Sequence, residues 1–230
     1  MTINTKTLAA IDIGTNAIRL FISNVEEYPT ETLFKKIAFL RVPIRLGEDV
    51  FTTGEIGQQK GKRLCETMQG FSYIMSAFNV ESYKAYATCA MREARNGKSV
   101  AEQIQKECDL NIEIISGTKE AETIFAGGMN EVVDDDKTYL YVDVGGGSTE
   151  VIVYSKSVKV EACSFPLGTV RMLNDAVDKE EMKHFKKWLK NITEKYTPDA
   201  IIGSGGNINK IHKLLNKKER ERITYQELDI

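Results

Sequence analysis

The feature that most constrains this chain is a turn that it uses twice. Residues 8–13 form a short apolar run that ends in Asp12-Ile13-Gly14-Thr15-Asn16, and a second apolar run, 18–25, begins at once. Residues 139–142 end the same way, in Asp143-Val144-Gly145-Gly146-Gly147-Ser148-Thr149, with the apolar run 151–154 behind them. Two strands joined by a tight turn is the simplest reading in each case, because Gly supplies positive φ and Asn tolerates it. A third strand is predicted after each pair, over 33–40 and 158–165. The two halves therefore begin alike: strand, Asp-x-Gly turn, strand, strand. An internal duplication with a cleft between the copies is the economical explanation.

The length agrees with two units. At about 150 residues per domain, 230 residues make one large domain or two small ones. The duplication selects two, residues 1–130 and 131–230, with Asp134-Asp135-Asp136 as a surface turn near the boundary. With 42% hydrophobic and 28% charged residues, collagen, a disulfide scaffold and general disorder are excluded. The 31 basic and 33 acidic residues sum to −2, which excludes a bulk nucleic-acid or membrane-surface binder. The longest stretch without a charge, 67–80, has 14 residues, short of the roughly 20 that span a bilayer. The N-terminus carries no apolar h-region, so a cytoplasmic location is expected. Cys65, Cys89, Cys108 and Cys163 are scattered, with no metal-type spacing to one another or to His184 and His212. Reduced, mostly buried thiols are expected.

Between and after the paired turns the pattern alternates. A helix is predicted over 53–78, where Met68, Phe71, Ile74, Met75 and Phe78 build one apolar face. Strand 82–88, helix 91–108, strand 112–115 and helix 119–127 complete the first half. In the second half a helix covers 179–195 and a strand 200–202. Gly203-Ser204-Gly205-Gly206 then opens a helix that runs to 215. Lys183, Lys186, Lys187 and Lys190 lie opposite Phe185, Leu189 and Ile192, and read as the solvated face of an amphipathic helix rather than a polyanion track.

A glycine-rich turn with an Asp at its mouth has a chemical use. Gly lets the backbone approach a ligand closely, and successive N–H groups in such a turn make an anion-binding nest. Ser and Thr hydroxyls add donors. An Asp at the strand end can hold Mg²⁺, which binds through one or two carboxylates plus phosphate oxygens. Two opposed turns would hold a phosphate chain from both sides.

Five segments, in order, carry a resemblance: residues 11–16, 88–94, 115–121, 142–150 and 202–207. Together they resemble the exopolyphosphatase and guanosine pentaphosphate phosphohydrolase family, of the actin, Hsp70 and sugar-kinase superfold. The resemblance runs from about residue 8 to about 215. It implies an α/β fold of two ribonuclease H-like lobes with mixed sheets. It also implies an Mg²⁺-dependent phosphohydrolase that releases terminal phosphate from polyphosphate or guanosine pentaphosphate, with polyphosphate or a guanosine penta- or tetraphosphate nucleotide as partner. Carried over residue by residue, Glu120 matches the catalytic base, Glu150 a second catalytic carboxylate and Asp143 the Mg²⁺ ligand. Gly145, Gly146, Gly147 and Ser148 match the phosphate-cradling loop, and Asp12, Gly14, Thr15 and Asn16 the first phosphate loop. Arg92 matches a phosphate-contacting arginine. Gly205 and Gly206 match a third glycine turn, which holds nucleotide in kinase relatives.

The sequence departs from the family in three places. It ends sooner, in what reads as the opening of a further helix near 223–227, so the second lobe is expected to be incomplete and its open sheet to favour a homodimer. Lys119 stands beside Glu120 where relatives have an acid, and close approach would lower the carboxyl pKa. The first loop reads Thr15-Asn16-Ala17-Ile18-Arg19 where relatives have serines. Three activities fit the motifs: the hydrolase, a non-catalytic phosphate- or nucleotide-binding module, and a small-molecule kinase of the same superfold. Fold alone does not separate them.

Overall fold

The computed structural model describes residues 4–126, 134, 136–156, 158–218 and 221–228. It separates into two compact units, Met1–Ser116 and Gly117–Ile230. The expected boundary at 130/131 lies outside the described residues.

The first unit is built on a five-stranded sheet of β1 (Asn4–Ile13), β2 (Ile18–Glu27), β3 (Thr32–Val42), β4 (Ser82–Ala87) and β5 (Glu113–Ile114), in the order β3-β2-β1-β4-β5. The first three strands form an antiparallel meander, and β4 and β5 add to β1 in parallel. Alternation decides what is buried. Ala9, Ile11 and Ile13 of β1, Ile18, Leu20 and Ile22 of β2, and Ala85 and Ala87 of β4 all belong to one core. That core is closed by α2 (Gln58–Ala77) and α4 (Gly97–Cys108), which contribute Leu64, Met68, Phe71, Met75 and Ile104.

Two predicted helices have other bounds. The helix over 53–78 is α2, which begins at Gln58; Thr53 instead ends a helix that the sequence did not predict, α1 (Leu46–Thr53), which Gly54 caps at φ 79°. Phe78 caps the far end of α2 and is exposed rather than part of the apolar stripe. The helix over 91–108 is α3 (Cys89–Glu93) and α4, parted at 94–96. There the Asn96 side chain accepts from the Ile56 amide and donates to the Ile56 carbonyl, both at 2.9 Å. These bonds lie outside any helical ladder, which is what turns the chain at that point.

The second unit carries a four-stranded sheet, β8-β7-β6-β9, of β6 (Thr138–Val144), β7 (Thr149–Ser155), β8 (Val158–Phe165) and β9 (Ala200–Ser204). Its meander repeats that of the first, with β9 parallel to β6. Both faces of β7 are buried. On one face Leu140, Val151 and Val153 pack against Ile192, Phe185 and Trp188 of α7 (Lys179–Tyr196). The other face carries Tyr139, Tyr141, Ile152 and Tyr154, and α5 (Gly117–Ala126) packs against β7 and β8. Glu122 of α5 is tied to Lys159 of β8 at 2.7 Å. Helix α6 (Thr169–Leu173), which no periodicity predicted, follows β8, and α8 (Gly205–Leu214) follows β9. The short α9 (Tyr225–Leu228) closes the described residues. Where the first sheet has a second parallel strand, the described second sheet ends at β9, whose Ile201 is 68% exposed. No described helix is long and apolar enough to cross a membrane.

Candidate active site

The second turn is shaped by what lies behind it. Gly145 N–H donates to the Ser148 carbonyl at 2.9 Å, closing the turn. The next three carbonyls all face the segment after β8. Gly145 O accepts from Thr169 N at 3.0 Å, Gly146 O from Val170 N at 2.8 Å and Arg171 N at 3.2 Å. Gly147 O accepts from Arg171 Nε at 3.0 Å. In a trans peptide the C=O and the following N–H point in opposite directions. Pinning three successive carbonyls to α6 therefore aims the amides of Gly146, Gly147 and Ser148 away from it, side by side. Amides so directed are what an anion nest requires. Gly168 makes the close approach possible, since a Cβ there would collide with the backbone of Gly146 and Gly147.

Beside the turn, a row of polar side chains crosses the end of the sheet. Asp143 of β6 stands in register with Glu150 of β7 on one side and Ser204 of β9 on the other, and Ser164 of β8 continues the row. By alternation all four lie on the face that holds Tyr141 and Ile152, the face that α5 covers. Glu150 is buried and accepts from Ser164 Oγ at 2.8 Å. Burial pushes the Tyr141 phenol up to about 12; a hydrogen bond with Ser204 opposes the rise, and the charges of Asp143 and Glu150 add to it. Gly205, at φ 90°, passes so close to the Asp143 carboxylate that a Cβ would lie 2.5 Å from Oδ1. Asn207 donates from Nδ2 to the Val144 carbonyl at 2.6 Å, fixing the start of the turn from α8. Glu120 sits half-buried in the first turn of α5.

The first unit repeats the scheme with different side chains. Gly14 N donates to Ala17 O at 3.2 Å, and Gly47 N and Arg45 N donate to the carbonyls of Thr15 and Asn16 at 3.0 and 2.9 Å. Arg45 and Gly47 therefore buttress the first turn as the segment after Leu167-Gly168 buttresses the second. Across the sheet end the row reads Arg41, Arg19, Asp12 and Tyr86. Arg19 holds the position of Glu150 and forms an ion pair with Asp12. Burial pushes the Asp12 carboxyl up while Arg19 pulls it back. Arg92 of α3 donates from Nη1 to the Ile115 carbonyl at 2.9 Å.

The structure thus brings Asp143, Glu150, Gly145, Gly146, Gly147, Ser148 and Gly205 together, with Gly206 next along α8 and Glu120 on the helix over the same sheet face. In the other unit Asp12, Gly14, Thr15 and Asn16 share one turn. Sequence reasoning missed Arg171, Gly168, Gly47, Arg19, Ser164 and Asn207. A signal for the buttress was present: Leu-Gly recurs after the third strand of each half.

A profile of the Ppx/GppA phosphatase family matches residues 22–228. The chain belongs to that family. The matched span includes the second turn and its row and begins after the first turn. Among solved Ppx/GppA-type structures, an exopolyphosphatase from Cytophaga hutchinsonii superposes with a TM-score of 0.80 at 25% identity, covering 96% of this chain and 74% of that one. Its likeness agrees with the two-lobed α/β fold of the actin, Hsp70 and sugar-kinase superfold. Among curated proteins, a bifunctional 3-dehydroquinate synthase/phosphatase of Fusobacterium nucleatum is 32% identical over 168 residues, 71% of this chain and 25% of the relative. Exopolyphosphatase 1 of Mycobacterium tuberculosis is 24% identical over 225 residues, 90% of this chain and 63% of the relative. The chain spans between a quarter and under two thirds of the length of these two relatives.

Proposed function

We propose that this Ppx/GppA family member hydrolyses linear phosphoanhydrides, releasing terminal phosphate from inorganic polyphosphate, with guanosine pentaphosphate as the alternative substrate. The observation that carries the reading is the nest of three aligned amides beside two carboxylates in register. Phosphoanhydride hydrolysis asks little covalent help of a protein; it needs charge neutralisation, in-line geometry and a positioned water. The Gly146, Gly147 and Ser148 amides supply fixed donors to phosphate oxygens at no cost of reorganisation.

Asp143 and Glu150 suit a divalent cation. They share one sheet face at adjacent register, and Mg²⁺ takes one or two carboxylates plus substrate oxygens. When bound there, Mg²⁺ would neutralise charge on the phosphate chain. Glu120 is the general base: it takes a proton from water as the water oxygen bonds to the terminal phosphorus. The P–O–P bridge breaks, and the shortened chain departs with the bridging oxygen.

The test is phosphate release from polyphosphate and from guanosine pentaphosphate with Mg²⁺, for the chain and its Glu120→Gln variant. Loss of the base is expected to cost on the order of 10²–10⁴ in rate while polyphosphate binding persists. A folded chain that binds polyphosphate and releases no phosphate is a binding module, and the hydrolase reading is then wrong.

A further inference from the structure

The duplication makes one residue stand out. Counted from the buttressing Leu-Gly, Arg171 in the second half holds the place of Val50 in the first, since each lies four positions after its leucine. Val50 is 5% exposed and packs into the first core. Arg171 is 9% exposed, and its Nε donates to the Gly147 carbonyl. An apolar side chain therefore satisfies the architecture at this place. A buried guanidinium is a costly replacement, and packing does not require it.

Its position behind the turn shows what it supplies. The Thr169, Val170 and Arg171 amides hold the carbonyls of Gly145 and Gly146. The Gly147 carbonyl is taken by the Arg171 side chain, from Nε. We infer that Arg171 is a positioning residue for the phosphate turn: by holding the Gly147 carbonyl inward it aims the Ser148 amide outward at bound phosphate. In the first half the corresponding carbonyl, of Asn16, is held by the Arg45 backbone amide, so no side chain is needed there and a valine suffices.

This assignment rests on the proposed reaction for its ligand, so the experiment reads the turn and the ligand separately. The full chain and its Arg171→Met variant are compared by melting temperature, by amide shifts and hydrogen exchange across residues 145–149, and by the KM for polyphosphate with Mg²⁺. The variant is expected to fold, with displaced and faster-exchanging Gly147 and Ser148 amides and a KM raised about tenfold, the ordinary worth of one hydrogen bond in such a setting. A folded variant with wild-type amide shifts and KM overturns the assignment. Should Arg171→Met fail to fold, Arg171→Lys decides in its place. It keeps a cation and loses the Nε–H, so a displaced Ser148 amide with a KM at least about threefold higher supports the role, and wild-type values refute it. A wild-type chain that neither binds nor hydrolyses polyphosphate refutes the functional reading instead, and the amide shifts still decide whether Arg171 sets the turn.

Discussion

Replacing Gly168 with alanine adds one methyl group at the most crowded backbone contact of the second turn. The added Cβ would lie 2.4 Å from Gly146 C, Gly146 O and Gly147 N, all of them backbone atoms. Ordinary contact begins near 3.4 Å, so the turn and the buttress must part by roughly 1 Å. Gly168 itself is extended, at φ −144° and ψ 159°, so alanine strains nothing locally and the whole effect is this collision. Overpacking of that kind costs about 1–3 kcal/mol, which lowers the melting temperature by about 2–12 °C for a chain of this size. The same displacement moves the amides that are to hold phosphate, and a misplacement of about 1 Å can cost on the order of 10² in rate. Thermal melting and polyphosphate turnover, measured on the same Gly168→Ala preparation, check both consequences. Wild-type melting together with wild-type turnover would show that the buttress does not set the turn. A lowered melting temperature with unchanged turnover would separate the turn from the chemistry and sink the proposed site.

Two further outcomes follow from the same packing. Burial pushes the Cys65 thiol up from 9.0 to about 12, helped by its hydrogen bond to Glu107, and pushes the Tyr141 phenol up from 10.0 to about 12. In both cases the unfolded chain ionises first while the folded chain keeps its proton, so stability is full below about pH 9 and falls as pH rises toward 12, by about 1.4 kcal/mol per pH unit for each group in its window; guanidinium midpoints at pH 8, 9.5 and 10.5 that do not fall would contradict it. Gly70 lies inside α2 with nothing within 4 Å of an added Cβ, so Gly70→Ala is expected to stabilise by about 0.5–1 kcal/mol with turnover unchanged, and a lower denaturation midpoint would count against the helix as described.

What the sequence made legible was local. The paired Asp-x-Gly turns, the strands beside them and the core face of α2 are written in runs of a few residues, although none of Gly14, Asn16 and Gly145 takes the positive φ expected of the turns. Helix α1 was not legible: the predicted helix begins at 53, where α1 ends, and takes in Gly54, which caps α1. Helix α6 has five residues, too few for periodicity to register. Arg171 belongs to a residue type that is ordinarily exposed, and only its bond to Gly147 reveals a buried role. Arg19 lies in the run 18–25 that reads as a strand, and nothing in the sequence sets it opposite Asp12; the structure puts it in register with Asp12. Each of these depends on contacts between segments far apart in the chain, which spacing along the sequence does not report.

The register of the two sheets explains why a duplicated motif can divide its labour. At matching places the first sheet carries Arg41, Arg19, Asp12 and Tyr86, and the second carries Ser164, Glu150, Asp143 and Ser204. Both turns close alike, Gly14 N on Ala17 O and Gly145 N on Ser148 O, and the rows beside them differ in charge. In the first row two arginines outweigh one aspartate, and Arg19 already neutralises Asp12. A surplus positive charge at a glycine turn suits an anion and repels a cation. In the second row two carboxylates stand in adjacent register with hydroxyl groups on either side, which suits a divalent cation and, without one, would repel phosphate. Under the proposed function the second turn would hold phosphate through its three amides, with a divalent cation on the carboxylates offsetting their repulsion and the Arg171 side chain keeping the Gly147 carbonyl inward. In the first turn the corresponding carbonyl is held by the Arg45 amide, and at the place of Arg171 it has Val50.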